Sequence, residues 1–401
     1  MSDIAVTSGR FDFGPTHEAM QRYVDRNILS GVSSAVLVGR DVADVHCAGF
    51  ADIENSIPMR TDHLFRAFSN TKLVTSCAVM MLFEEGRVGL DDPIEKHIPQ
   101  VGNRQVLKPG ATTIDDVEPA RGSITVRHLL SHSAGLSYGL FPGSLIFNTY
   151  TAAKVGDPAR KLAEMMETLA PLPLVFHPGT GWEYSVATDV LARLVEVVSG
   201  QTFGDFLAER IFEPLGMVDT GFVVPQAEQS RLAVYYAGAN LFDPMEPGLT
   251  RTDDAPYPGA YLRPVPFQSG GGGLVSSLPD MVAFIRSFLP NGRTLLKPET
   301  IALMMTNQLA DGVSIGFPGI GRVEGKVFGL GGALTVTPSA IDPRESTGEF
   351  EWGGIAGTHW WISPKHNLAG LCMTQRQMGF WHPFSFEFKR LTYQAVVGES
   401  A

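Results

Sequence analysis

Cysteine is scarce: Cys47, Cys77 and Cys372 are the only three in 401 residues. They are odd in number, widely spaced and set among apolar neighbours, a pattern that argues against a disulfide framework or a cysteine-built metal site and predicts buried, reduced thiols. Positive charge is in deficit as well, with 31 Lys+Arg against 42 Asp+Glu and a net charge of −11. Nucleic acid and anionic membrane both call for dense Lys/Arg, so neither is an expected partner. Long apolar runs are missing too. The longest, Leu73–Phe83, holds 11 residues, about half of the ~20 that span a bilayer, and reads as a buried helix. The opening MSDIAVTSGRFDFG lacks a basic segment followed by an apolar run and a small-residue cleavage site, so a cytoplasmic address is expected.

What is present is a globular composition, 44% hydrophobic and 18% charged, with enough apolar residues for a sizeable core. Periodicity predicts a helix over 13–28, strands over 33–38 and 45–49, and a long apolar helix ending near Gly86. Residues 91–122, rich in Pro, Gly, Asp and Thr, read as a long surface excursion. Helices are predicted over 126–131, 158–169, 186–199 and 203–211. Ser277 is a plausible N-cap for a helix over 279–288, and another helix follows over 297–306. Short strands near 327–330, 333–337, 360–363 and 368–373 precede a terminal helix over 383–397. Strands at both ends with helices between predict one sheet drawn from both termini. Residues 1–80 and 265–401 would form the α/β domain, and 81–264 an inserted, mainly helical one. The active site is expected in the cleft between them.

The most informative segment is Leu64-Phe65-Arg66-Ala67-Phe68-Ser69-Asn70-Thr71-Lys72. A Ser and a Lys three apart at a helix start share one face, which puts the amine beside the hydroxyl. A serine hydroxyl is a poor nucleophile at neutral pH, and a desolvated amine next to it can take its proton. The spacing alone fits an N-cap serine and a solvated lysine equally well, but the apolar turns after Lys72 set it at the edge of a core. A second segment, Phe176-His177-Pro178-Gly179-Thr180-Gly181-Trp182-Glu183-Tyr184-Ser185, brings a tyrosine to a turn before a helix. Tyr184 is either a proton shuttle between Ser69 and a leaving alcohol or a packed aromatic. A third, Glu351-Trp352-Gly353-Gly354-Ile355-Ala356-Gly357, is a strand with glycines where side chains normally stand. Such glycines mark either a bulge or the close approach of a ligand, whose carbonyl would then meet main-chain N–H groups.

These three segments in this order, with His128-Leu129-Leu130-Ser131-His132-Ser133-Ala134-Gly135-Leu136, Pro214-Leu215-Gly216-Met217 and Ser269-Gly270-Gly271-Gly272-Gly273-Leu274 between them, resemble the family VIII carboxylesterases. Those enzymes are relatives of class C β-lactamases and penicillin-binding proteins. The resemblance runs from about Gly31 to Val397. It implies an antiparallel sheet flanked by helices with an inserted helical domain, the β-lactamase/penicillin-binding-protein-like fold. It also implies an acyl-enzyme on Ser69, with Lys72 and Tyr184 as the base system and the N–H groups of Ser69 and Ile355 as the oxyanion hole. Which of Lys72 and Tyr184 removes the proton stays open. Tyr138, Trp352, Gly353 and Gly354 are implied to line the substrate site, with Asp189 orienting it from behind.

Two departures from the β-lactam-processing relatives carry meaning. Their third motif opens on a cation followed by a hydroxyl residue, where this chain has Trp352-Gly353-Gly354, and their Tyr-x-Asn is here Tyr184-Ser185-Val186. Without those polar anchors the resemblance implies neutral esters with short to medium acyl chains as substrate, water as acyl acceptor, and no metal or organic cofactor. The alternatives on the same site are a β-lactamase, a D-aminopeptidase or an acyltransferase, and an inactive penicillin-binding-like module in another class.

Three further signals are set aside. Gly135-Leu136-Ser137-Tyr138-Gly139 fits G-x-S-x-G, but that elbow must follow a strand and open a helix. Here a helix precedes it and Phe141-Pro142-Gly143 follows. His128 and His132 have the i, i+4 spacing of metal ligands without the Glu of H-E-x-x-H or a third ligand, and are expected to be structural. Gly270–Gly273 lacks the Gly-Lys-Ser/Thr ending of a phosphate loop and is expected to let the chain turn tightly near the site.

Overall fold

A computed structural model describes residues 4–7, 9–139, 144–240, 243–317 and 321–398. Its centre is an eight-stranded antiparallel sheet. Three strands come from the N-terminal part: β1 (Gly31–Val38), β2 (Asp41–Asp52) and β3 (Ile57–Pro58). Five come from the C-terminal part: β4 (Lys326–Phe328), β5 (Ala333–Thr335), β6 (Phe350–Gly354), β7 (Thr358–Ser363) and β8 (Leu368–Met373). The spatial order is β4-β5-β6-β7-β8-β1-β2-β3, so the two halves of the chain are joined where β1 pairs β8, with Ser33 opposite Met373 and Val38 opposite Leu368.

Both faces of the sheet are covered, which is why β1 and β8 are buried along nearly their whole length instead of at alternating residues. On one side, helices α1 (Gly14–Asp25) and α5 (Pro383–Val397) bury Met20, Tyr23, Phe384 and Phe388 against Val32, Val36, Trp361 and Cys372. On the other, α2 (Thr71–Glu84) and α4 (Leu278–Arg286) pack on Ala35, Leu37, Trp360 and Leu371. Residues 71–82 of α2 are buried without a break. A helix apolar all round must be enclosed on all sides, and α3 (Ala187–Ser199) supplies the other wall with Val190, Leu191, Leu194 and Val195. Shorter helices at Val126–Leu130, Leu162–Leu169 and Phe203–Leu207 pack against α3, and another lies at Leu145–Ala152. Among the described residues no helix is long and apolar enough to cross a membrane.

Two expectations need correction. Residues 91–122 are not simply a surface excursion: Ile94, Ile98, Val101 and Val106 are buried, and Gln105–Leu107 pairs with Val117–Pro119. The segment is pinned by Arg104, which is buried and donates to the carbonyls of Leu169 (2.9 Å), Ala170 (3.1 Å) and Leu172, capping the C-terminus of a helix. Of the three free thiols, Cys77 and Cys372 are buried but Cys47 is only partly so. Ser277 does stand at the N-cap of α4, yet its side chain makes no capping bond there.

Candidate active site

Ser69 lies in a 3-10 turn, Phe68–Asn70, that leads directly into α2. The helix N-cap is Asn70, not Ser69, so the serine is left free for other contacts. Phe68 adopts φ +43°, a conformation that costs a bulky residue energy and marks a turn held by its surroundings. Lys72, one turn along α2, is 1% exposed. A buried amine needs hydrogen-bond partners, and Lys72 Nζ has three: Gly271 O at 2.6 Å, Tyr138 Oη at 3.2 Å and Ser69 Oγ at 3.4 Å. The solvated-lysine alternative is thereby excluded.

Tyr184, just before α3, donates its phenol to Ser69 Oγ at 2.6 Å. Trp352 of β6 donates its indole N–H to the same phenol oxygen at 3.2 Å. Lys72 Nζ stands 4.5 Å from the centre of the Tyr184 ring and 5.2 Å from that of Tyr138. Lys72 and Tyr184 thus meet at the Ser69 hydroxyl, and Trp352, from a third part of the chain, backs the phenol. Tyr138 is packed 5.4 Å from Tyr184, ring to ring, and burial together with the neighbouring Asp189 and Tyr184 holds its phenol well above the ordinary 10.

Asp189, in the first turn of α3, is 2% exposed. It accepts from Ser269 Oγ (2.6 Å) and from the backbone N–H of Gly271 (3.1 Å). Burial raises its pKa, opposed by the Ser269 hydroxyl and the charge of Lys72. Asp189 therefore orients the peptide whose carbonyl receives Lys72. That role for Gly271 was not read from the sequence, where Gly270–Gly273 appeared only as a tight turn. A Cβ at Gly271 would stand 2.5 Å from Tyr138 Oη and 3.4 Å from Lys72 Nζ, so the glycine is required by the site itself.

The glycines of β6 have a different reason from the one expected. A Cβ at Gly354 would meet Thr358 Oγ1 at 2.4 Å and the Ala67 carbonyl at 2.6 Å, and one at Gly353 would meet His359 Nδ1 at 2.6 Å. The side-chain space at Gly353 and Gly354 is filled by the protein's own chain, with Gly354 pressed against the turn that carries Ser69. Ile355 follows at the hairpin and packs with Ala356 and Phe68 beside Ser69. On the face of β6 opposite Trp352, Glu351 pairs with Lys326 and with Lys389 of α5, which also binds Glu349 at 2.5 Å. This network ties the strand to its helix.

The wall around Tyr184 and Trp352 is aromatic. Phe317 lies 6.0 Å from the Tyr184 ring and 4.8 Å from Trp381, and Phe380 lies 5.2 Å from Trp352. Phe317 stands in a segment without motif, and nothing in the sequence marks it. His132 packs 4.9 Å from the Tyr184 ring and bonds through Nδ1 to Ser185 Oγ at 3.1 Å. Burial, with Lys72 nearby, keeps it neutral, its pKa far below 6.5. His128 is engaged in a capping box with Thr125. Ser137 donates to Glu183 at 2.9 Å and is buried, and among the described residues no strand leads into it as a nucleophile elbow requires. Phe141-Pro142-Gly143 lies outside the described residues.

The sequence matches the Beta-lactamase family over residues 17–383. The chain belongs to the beta-lactamase family. Within this family it is 33% identical over 337 residues to Esterase EstB of Burkholderia gladioli, covering 81% of each chain. It is 30% identical over 370 residues to monacolin J acid methylbutanoyltransferase of Aspergillus terreus, covering 85% of each. Among solved structures, EstCE1, described as a hydrolase with promiscuous acyltransferase activity, superposes with a TM-score of 0.78. That match covers 95% of this chain and 98% of the other at 24% identity, and shows the fold. The beta-lactamase family fold, with its large antiparallel sheet and flanking helices, is the one expected from the three motifs.

Proposed function

We propose that the chain is a serine carboxylesterase that cleaves neutral carboxylic esters of short to medium acyl chain through an acyl-enzyme on Ser69. The observation that carries this reading is the convergence on Ser69 Oγ of the Tyr184 phenol at 2.6 Å and the Lys72 amine at 3.4 Å. Kinship with EstB, an esterase by name, supports it.

In acylation the Ser69 proton passes to the Lys72–Tyr184 pair, by way of the Tyr184 oxygen that lies nearer to Oγ, as Oγ attacks the ester carbonyl carbon. Lys72 and the Trp352 N–H are the groups that meet negative charge on the phenol oxygen. The N–H groups of Ser69 and Ile355 receive the carbonyl oxygen as it becomes an oxyanion. The intermediate collapses, the C–O bond to the alcohol breaks, and Tyr184 returns the proton to the leaving oxygen. Water then adds to the acyl carbon, giving its proton to Tyr184, and the acid leaves as Ser69 recovers its own. The cycle balances with ester and water and takes no cofactor. Tyr138, Trp352 and the backbone at Gly353 and Gly354 border the substrate, and the neutral aromatic wall suits an uncharged ester. In this reading residues 1–80 and 265–401 form one domain, 81–264 the other, and the protein works in the cytoplasm without nucleic acid or membrane.

A second reading is an acyltransferase, in which an alcohol replaces water in the second half of the cycle. Kinship with a methylbutanoyltransferase supports keeping it. Rates on a p-nitrophenyl ester panel, on the same esters with added alcohol, and on a chromogenic cephalosporin separate the cases. Faster turnover of p-nitrophenyl butyrate to free acid is expected; faster cephalosporin hydrolysis, or transfer to alcohol as the main route, would overturn the esterase reading.

A further inference from the structure

Lys72 is held by the carbonyl of Gly271, so whatever fixes that glycine run fixes the amine. Asp189 grips it on one side, at Gly271 N and through Ser269. The grip on the other side comes from Tyr261, in the segment of prolines and glycines between residues 255 and 267. Its phenol donates to the carbonyl of Gly272 at 3.1 Å. Its ring meets that of Phe68, the residue before the nucleophile, edge to face at 6.5 Å and 88°.

Tyr261 is 4% exposed and adopts φ +67°. A left-handed conformation costs a bulky side chain about 1–3 kcal/mol and persists where surrounding contacts over-determine it. The contacts here are its carbonyl, which accepts from Val224 N at 2.8 Å, its phenol on Gly272, and apolar packing against Leu64, Val224 and Val275. Phe68, the other member of the ring pair, has a positive φ as well. Gly272 itself lies against the Phe68 backbone, whose carbonyl carbon is 3.7 Å from where a Cβ on Gly272 would be. Two strained aromatic residues therefore brace each other across the glycine run, one next to the nucleophile and the other on the peptide adjoining the acceptor of Lys72.

We propose that Tyr261 is a positioning residue for the Ser69–Lys72 pair: its hydroxyl holds the Gly271–Gly272 backbone in the register that aims the Gly271 carbonyl at Lys72 Nζ. It reaches the reaction only through that backbone. The inference rests on the esterase reading, and the experiment separates their failures. Steady-state kinetics on p-nitrophenyl butyrate and thermal melts are measured for the wild-type protein, Tyr261→Phe and Tyr257→Phe. Wild-type turnover tests the esterase reading by itself.

Tyr261→Phe removes one oxygen and keeps the ring. Its kcat is expected to fall about tenfold, the size of one hydrogen bond expressed in the rate, with KM close to wild type and the melting temperature lowered slightly by the unpaired Gly272 carbonyl. Tyr257→Phe, in the same segment and half-buried, is expected to match wild type. An active wild type with an unchanged kcat in Tyr261→Phe would overturn the positioning role. So would a change confined to KM or to the melting temperature, or an equal loss of kcat in Tyr257→Phe.

Discussion

The indole N–H of Trp352 donates to the phenol oxygen of Tyr184 at 3.2 Å, and that phenol lies 2.6 Å from Ser69 Oγ. Trp352 stands where β-lactam-processing relatives are implied to carry a cation. A neutral donor here orients the phenol without offering a charge to a carboxylate, and under the proposed function this one side chain of β6 serves both proton transfer and a preference for uncharged esters.

Trp352→Phe tests the donor and spares the aromatic wall. Loss of one hydrogen bond to a group that carries developing charge is expected to lower kcat about tenfold or more, with KM on p-nitrophenyl butyrate changed less. Steady-state kinetics decide it; an unchanged kcat would mean that the indole serves packing alone.

Gly271→Ala places a methyl group 2.5 Å from Tyr138 Oη and 3.4 Å from Lys72 Nζ. Displacing catalytic groups by around an ångström costs on the order of 100-fold in rate, and that loss of kcat is expected in a folded variant. Circular dichroism checks the fold, and rates within a few-fold of wild type would contradict the placement of Lys72.

Ser137→Ala removes the donor to Glu183, a partly buried carboxyl whose pKa is already raised by burial and held down by that hydroxyl. About 1 kcal/mol of stability should be lost, while esterase activity stays within roughly tenfold of wild type. Denaturant melts and turnover measured together distinguish this clasp from a nucleophile, whose removal would abolish activity.

Stability should fall on acidification through two buried histidines. Burial, as the largest cause, pushes both His359 and His382 down from 6.5 to about 4. The unfolded chain takes up these protons near 6.5 and the folded chain only near 4, so stability present above pH 6.5 is lost progressively as pH falls toward 4. Each histidine contributes roughly 3 kcal/mol to this loss. Melts across pH 7.5 to 4.5 should show it, and His382→Asn should reduce the slope; an unaltered slope would show that other groups govern acid stability.

The short-range signals were legible in the sequence because local spacing decides them. Ser69 and Lys72 are one turn apart on a helix whose burial follows from its apolar run, and the limits of β8 and α5 follow from periodicity alone. Tyr184 was identifiable only through its motif, since nothing local says that residue 184 meets residue 69.

What was misread depended on tertiary packing. The glycines at 353 and 354 signalled a close approach correctly, but a missing side chain does not say whether ligand or protein fills the space, and here it is Thr358, Ala67 and His359. Polar composition over 91–122 concealed the anchoring of Arg104, because its partners are backbone carbonyls some 65 residues away, which no composition records. Phe317 joins the aromatic wall through folding alone, and Gly271 acts through a carbonyl that every residue type carries.

The central claim is that Ser69 is the activated nucleophile. Intact-mass analysis after a fluorophosphonate probe, followed by peptide mapping, tests it most directly. A single adduct on Ser69 is expected, absent from Ser69→Ala and formed much more slowly in Tyr184→Phe; an adduct on another residue, or labelling that persists in Ser69→Ala, would contradict it.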